Sequence, residues 1–72
     1  MRRFPVYLTA QHVDGERRSF RLQVEAYDVP QAMDVAFAHY AGQFAESEGW
    51  TMAAVVDELL AVDVDDEGAA TN

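Results

Sequence analysis

The chain contains no cysteine and no lysine, and its four glycines are scattered along the sequence. Without cysteine, it has no disulfide, no thiolate metal site and no cysteine nucleophile. Without a glycine-rich loop, it lacks the motif that cradles nucleotide phosphates. No apolar run approaches the roughly 18 residues of a membrane span, and the first residues lack a signal-peptide pattern. We therefore expect a soluble, cytoplasmic protein.

Side chains suited to catalysis are also scarce. The two histidines are His12, near the end of a predicted strand, and His39, on the flank of a predicted helix. No serine lies in a nucleophile motif, and acid-base or nucleophilic catalysis needs such groups in mutual contact. We predict a protein that is not an enzyme and that needs no cofactor.

The last residues resemble part of a calcium-binding loop. Asp63, Asp65 and Glu67, followed by Gly68, match the first half of an EF-hand loop. The bidentate glutamate at loop position 12 would fall beyond Asn72, however. We therefore predict no metal site.

The charges are distributed unevenly along the chain. All five basic residues are arginines at or before Arg21, and eleven of the thirteen carboxylates follow it, so the net charge of −8 divides into +3 and −11. Such an asymmetry repels nucleic acid and membranes and favours basic partners. We expect a basic protein or nucleoprotein complex as partner, with no direct nucleic-acid binding and no membrane binding. Codon bias alone would explain the arginine-only basic set, but not the lack of bases after Arg21.

Two stretches, "FPVYLTAQHV" and "SFRLQVEAY", alternate between apolar and polar residues, as half-buried strands do. Asp14-Gly15 between them indicates a hairpin. The apolar positions are even-numbered in both strands, and residues that face each other across a hairpin lie on the same face of the sheet. The residue numbers of a facing pair must therefore add up to an even number, and a two-residue loop does not allow this. We predict a three-residue loop from Asp14 to Glu16. This loop pairs Val6 with Val24 and Leu8 with Leu22.

A helix is predicted next. Asp28 can cap its first turn, Gln31 can complete a capping box, and Pro30 is tolerated at the start. The predicted helix runs from about Val29 to Ser47, with Gly49 as its stop. Its apolar face comprises Val29, Ala32, Met33, Ala36, Phe37, Tyr40 and Phe44.

The stretch "WTMAAVVDELLAVDV" carries features of both a helix and a strand. Methionine, alanine and leucine suit a helix, whereas Trp50 and the valines favour a strand. We predict a strand interrupted by a bulge or tight turn near Asp57-Glu58, placed beside the first strand. The fold class is then α+β, with β-β-α-β order and one helix on a three-stranded, mainly antiparallel sheet. We expect one compact domain over residues 1–64 and an acidic, flexible tail over 65–72.

The stretch "FRLQVEAYDVPQAMDVAFAHY", followed by "GW" and a valine-rich strand, resembles small phage-encoded anti-CRISPR inhibitors over roughly residues 20–64. The resemblance implies a stand-alone domain in the host cytoplasm that binds a Cas protein or surveillance complex. Such binding blocks target DNA binding or nuclease recruitment. These proteins share no binding motif, so the resemblance assigns no residue here.

Carboxylates are the first candidate for partner binding. If Asp63 to Glu67 are extended, alternate carboxylates lie about 6.5–7 Å apart, which is comparable with phosphate spacing along a nucleic-acid strand. A basic groove built for phosphates would accept such a row. The candidate residues are Asp57, Glu58, Asp63, Asp65, Asp66, Glu67, Glu46 and Glu48. The alternative is that acidic residues only keep the protein soluble.

The sheet face turned away from the helix is the second candidate. Tyrosine and arginine are enriched at binding hot spots, and an antiparallel sheet commonly leaves one face open. The candidate residues there are Tyr7, Arg21, Glu25 and Tyr27. The alternative function is therefore a small structural or accessory subunit that self-associates, as a homodimer for example, through this face.

Overall fold

The computed structural model describes residues 1–64 and shows a small α+β fold, which confirms the predicted class. The elements are β1 (Arg2–His12), β2 (Arg17–Ala26), α1 (Val29–Tyr40), a 3-10 helix (Glu46–Glu48), β3 (Trp50–Val56), a second 3-10 helix (Glu58–Leu60) and β4 (Val62–Asp63). The strand order is β2-β1-β3, and β4 also pairs with β1. None of the described helices is long and apolar enough to cross a membrane.

The hairpin between β1 and β2 has the predicted parity but a different register. Phe4 faces Val24 and Val6 faces Leu22, two residues away from the predicted pairing. The loop is Val13–Gly15, because the amide of Gly15 donates to the His12 carbonyl at 2.9 Å and Gly15 has a φ of 102°. This turn needs its positive φ at the last loop position, where glycine adopts it without strain. The prediction of an Asp14 to Glu16 loop was therefore wrong by one position.

The third strand lies beside β1 and is broken where the sequence predicted. β3 ends at Val56, a 3-10 turn follows, and β4 resumes pairing at the beginning of β1. At the break, the amide of Asp57 donates to the Pro5 carbonyl at 3.0 Å. β1 is thus the central strand, paired along its length with β2 on one side and with β3 and then β4 on the other.

The helix begins where its cap predicts. Asp28 accepts from the amide of Gln31 at 2.9 Å, and the Gln31 side chain accepts from the amide of Tyr27 at 2.6 Å. Pro30 lies in the first turn, where its missing N–H removes no helical hydrogen bond. The entry to α1 is thus specified by local residues.

The end of the helix differs from the prediction. α1 stops at Tyr40, and a turn followed by the 3-10 helix Glu46–Glu48 replaces the last two helical turns predicted up to Ser47. Gly42 lowers the helix propensity there, and Ala45 has an extended backbone. This path places the Phe44 ring, 7% exposed, at 4.8 Å from the Trp50 ring. The chain therefore buries Phe44 against β3 instead of continuing the helix.

The core lies between α1 and the even-numbered face of the sheet. Its largest fully buried side chains are Phe4, Leu8 and Val6. Ala32 and Ala36 are also fully buried, and their small side chains let α1 lie close to the sheet. Four aromatic rings close the end of the core nearest the hairpin loop. They are Phe20, Tyr40, Phe44 and Trp50.

Candidate protein-interaction surfaces

The carboxylates predicted to bind a partner are divided between the two ends of β3. Glu46 and Glu48 lie in the 3-10 helix just before β3, and both are exposed. Asp57 and Glu58 follow β3 directly, with Asp57 half-buried and Glu58 exposed. β3 itself spans about 20 Å at the usual strand rise, and the two pairs lie beyond its two ends. We call the outer edge of β3, together with these four carboxylates, the acidic edge.

Asp63 belongs to a different environment. Its Oδ1 lies 3.7 Å from Nε of Arg2, whose guanidinium is stacked 5.2 Å from the centroid of the Phe4 ring. Asp63 is largely exposed, and such a surface pair contributes little to stability. The Asp63 carboxylate thus forms an ion pair with Arg2. Asp65, Asp66 and Glu67, the remaining predicted carboxylates, lie outside the described residues.

All five arginines lie on β1 and β2, and none lies on β3 or in the 3-10 helices that flank it. The Arg3 guanidinium donates to Glu25 at 3.2 Å, and Arg18 Nε donates to Glu16 at 2.9 Å. Arg21 lies 5.7 Å from the centroid of the Tyr7 ring. Arg17 is exposed beside Gln11. Charge is therefore distributed unevenly over the sheet. All the arginines lie on β1 and β2, whereas residues 46–58, which include β3, carry four carboxylates and no basic residue.

The outer edge of β3 has free backbone groups. Val13 donates to the Gly49 carbonyl and Asp57 to the Pro5 carbonyl, which identifies odd-numbered positions of β3 as those bonded to β1. Because an antiparallel ladder alternates, the N–H and C=O groups of Met52, Ala54 and Val56 point outward. Within residues 1–64, no other strand pairs with this edge, although the Trp50 amide at its beginning donates to the Ala45 carbonyl at 3.3 Å. Sequence analysis placed β3 beside β1 but did not identify these outward groups, because they depend on the hydrogen-bond register between the two strands.

The odd-numbered sheet face is open, as predicted, except at Pro5, which is buried, and we call it the open face. Tyr7 is 39% exposed there, with Arg21 on the neighbouring strand and Val55, 67% exposed, on the other side. Glu25 lies on the same face, paired with Arg3. Tyr27 follows β2 and is 70% exposed. The structure thus brings Tyr7 and Arg21 together and places Glu25 further along the same strand pair.

The hairpin loop is attached to the acidic edge through His12. Its Nε2 lies 2.8 Å from the Glu48 carbonyl oxygen, and its ring meets the Trp50 ring edge-on at 4.9 Å. The Glu48 carbonyl raises the pKa of His12, and Asp14, at 3.0 Å from Nδ1, adds to this effect. The Glu16 amide, with a smaller effect from His12, lowers the pKa of Asp14. These contacts fix the loop relative to the start of β3.

No group of three His, Asp or Glu side chains within residues 1–64 has a geometry that could hold a metal ion. Comparison of the chain with protein-family models, with curated proteins and with solved structures gave no match. The acidic edge and the open face are therefore the two surfaces of the described residues that bear on function.

Proposed function

We propose that this protein is a non-enzymatic interaction protein whose acidic edge binds a basic surface of a protein partner. The observation that supports the proposal is the separation of charge across the sheet. Glu46, Glu48, Asp57 and Glu58 flank an uncharged strand, whereas three of the five arginines pair with other carboxylates, which lie on β2, on β4 and just before β2. Binding through carboxylates gains affinity from charge-assisted hydrogen bonds to arginine or lysine.

A nucleic-acid-binding surface is the kind of basic surface that this edge fits best. Such a surface carries arginines and lysines arranged for a row of phosphates, and carboxylates can occupy the same positions. The protein would then act as an inhibitor that blocks DNA or RNA engagement. A Cas protein is one candidate partner, because the chain resembles anti-CRISPR inhibitors.

The test compares two forms of the protein as bait in host-cell lysate. Wild-type protein should retain a nucleic-acid-binding protein after nuclease treatment, and raising the salt from about 0.05 M to about 0.5 M, or adding DNA, should release it. The variant with Glu46→Lys, Glu48→Lys, Asp57→Lys and Glu58→Lys should lose at least about 90% of that protein, because each reversal places like charges in contact.

The matched control is Asp34→Lys, which reverses an exposed carboxylate on the solvent side of α1. It should be compared with the single reversal Glu58→Lys, which changes the net charge equally. Circular dichroism should show that every variant is folded. Equal recovery of the same proteins by wild type and the fourfold variant would refute the proposal.

The open face supports a second candidate function, a small accessory subunit that self-associates. Tyr7, Val55 and Val62 are exposed at 39%, 67% and 60% on this side of the sheet. Sedimentation equilibrium should then detect a dimer whose fraction rises with concentration. Replacing Tyr7 with lysine should weaken dimerisation at least tenfold, since two such faces would bury a charge at their centre. A wild-type protein that stays monomeric at millimolar concentration would contradict this candidate.

A further inference from the structure

The acidic edge has the properties of a strand-addition site. Met52, Ala54 and Val56 direct backbone donors and acceptors outward, and the strand that carries them, "WTMAAVV", contains no charge and no proline. Natural sheets usually protect such edges with charged side chains, proline or a covering segment. β2, the opposite edge, follows that rule, with Arg17, Arg21 and Glu25 at its outward positions. β3 is therefore the edge open to another strand.

Two shallow clefts lie along this edge, one on each face of the sheet. The cleft on the open face has a volume of about 380 Å³ and is lined in part by Thr9 and Gln11. The cleft on the helix side measures about 410 Å³ and is lined in part by Phe44 and Trp50. Thr51 and Met52 line both of them, so an added strand would direct alternate side chains into a cleft on either face.

Given the binding of a basic partner, on which this step rests, we propose that β3 accepts an extended segment of that partner as an additional strand. The segment has basic residues near both ends, since Glu46 and Glu48 precede β3 and Asp57 and Glu58 follow it. Its uncharged centre spans about 20 Å of extended chain along β3. Backbone hydrogen bonds supply affinity, and the carboxylates at the two ends select basic flanks.

Charge argues for such a segment and against a second copy of this chain. In an antiparallel pair of two β3 strands centred on Ala53, Glu48 of one copy would face Glu58 of the other. The carboxylates at each end of β3 in one copy would then lie close to carboxylates of the other copy. Like charges directly opposite each other destabilise a strand pair. A basic segment makes the opposite contact at each end.

The first test measures amide hydrogen exchange by NMR with the probe peptide acetyl-Lys-Arg-Thr-Val-Thr-Val-Thr-Arg-Lys-amide. The amides of Met52, Ala54 and Val56 should exchange at least about tenfold more slowly with the peptide, whereas Thr51 and Ala53 are already bonded to β1. A peptide with glutamate and aspartate in place of lysine and arginine should give no protection. Absence of protection with the basic peptide would overturn the proposal, as would protection that rises with protein concentration alone, which indicates a second copy.

The second test blocks the edge and leaves its charges in place. Ala54→Pro removes one outward N–H and no bond to β1, and Gln23→Pro does the same on β2. Peptide affinity should fall at least tenfold for Ala54→Pro and stay within twofold for Gln23→Pro, with Thr51 and Ala53 still protected in both. If Ala54→Pro binds normally but reversal of the four carboxylates abolishes binding, strand addition is refuted and the proposed function stands. If the reversal has no effect, the proposed function is refuted.

Discussion

Replacing Phe4 with alanine should lower the free energy of unfolding by about 3–5 kcal/mol, the usual cost of removing a buried phenylalanine ring. Phe4 is fully buried near the beginning of β1, opposite Val24. A folded chain of 72 residues has a total stability of roughly 4–11 kcal/mol, so this single change removes a large part of it. The change also removes the contact between the Phe4 ring and the Arg2 guanidinium, which lies 5.2 Å from the ring centroid.

Urea unfolding, followed by the fluorescence of the single tryptophan Trp50, provides the measurement. Leu59→Ala is the control, because Leu59 is 96% exposed in the second 3-10 helix and its truncation should change stability by less than about 0.5 kcal/mol. A loss below about 1 kcal/mol for Phe4→Ala would show that the core is not centred on this residue.

Replacing Gly49 with alanine should cost about 2–3 kcal/mol. Gly49 has a φ of 93°, a conformation that residues other than glycine adopt at a cost of about 1–2 kcal/mol. In addition, an alanine Cβ would lie 2.9 Å from His12 Nε2 and 3.2 Å from Val13 Cγ2. His12 cannot move away without losing its hydrogen bond to the Glu48 carbonyl. Strain and steric contact therefore act together at this position.

Gly42→Ala is the matched control for this prediction. A Cβ at Gly42 meets nothing within 4 Å, and Gly42 has no positive φ. Reduced entropy of the unfolded chain should make this variant more stable by about 0.4–1 kcal/mol. Thermal unfolding by circular dichroism should thus move in opposite directions for the two alanine variants. Equal shifts would show that the backbone at Gly49 is not constrained as described.

The hairpin shows how far sequence reasoning reaches. Alternation defines which residues face the core, and parity excludes loops of the wrong length, so the faces of β1 and β2 were predicted correctly. Two three-residue loops, starting at Val13 or at Asp14, satisfy the same parity. Only the position of the positive φ within the turn distinguishes them. Gly15 has the positive φ, and it is the last residue of the loop.

The helix and the acidic edge show where the sequence is insufficient. The start of α1 is encoded by Asp28 and Gln31, which act within a few residues of each other. Its end depends on Phe44, which packs against Trp50 on another element, so local propensity does not reveal it. Likewise, the excess of carboxylates was visible in the sequence. The outward hydrogen-bonding positions of β3 between them required the register of β3 with β1.

β1 also determines which changes of chain length the protein can tolerate. Its even-numbered residues point into the core and bond to β2, while its odd-numbered residues form the open face and bond to β3. Inserting or deleting one residue within β1 would therefore exchange both faces and both ladders beyond that point. Length variation among natural variants of this chain should accordingly be confined to loops such as Val13–Gly15, whereas β1 itself should vary by substitution alone.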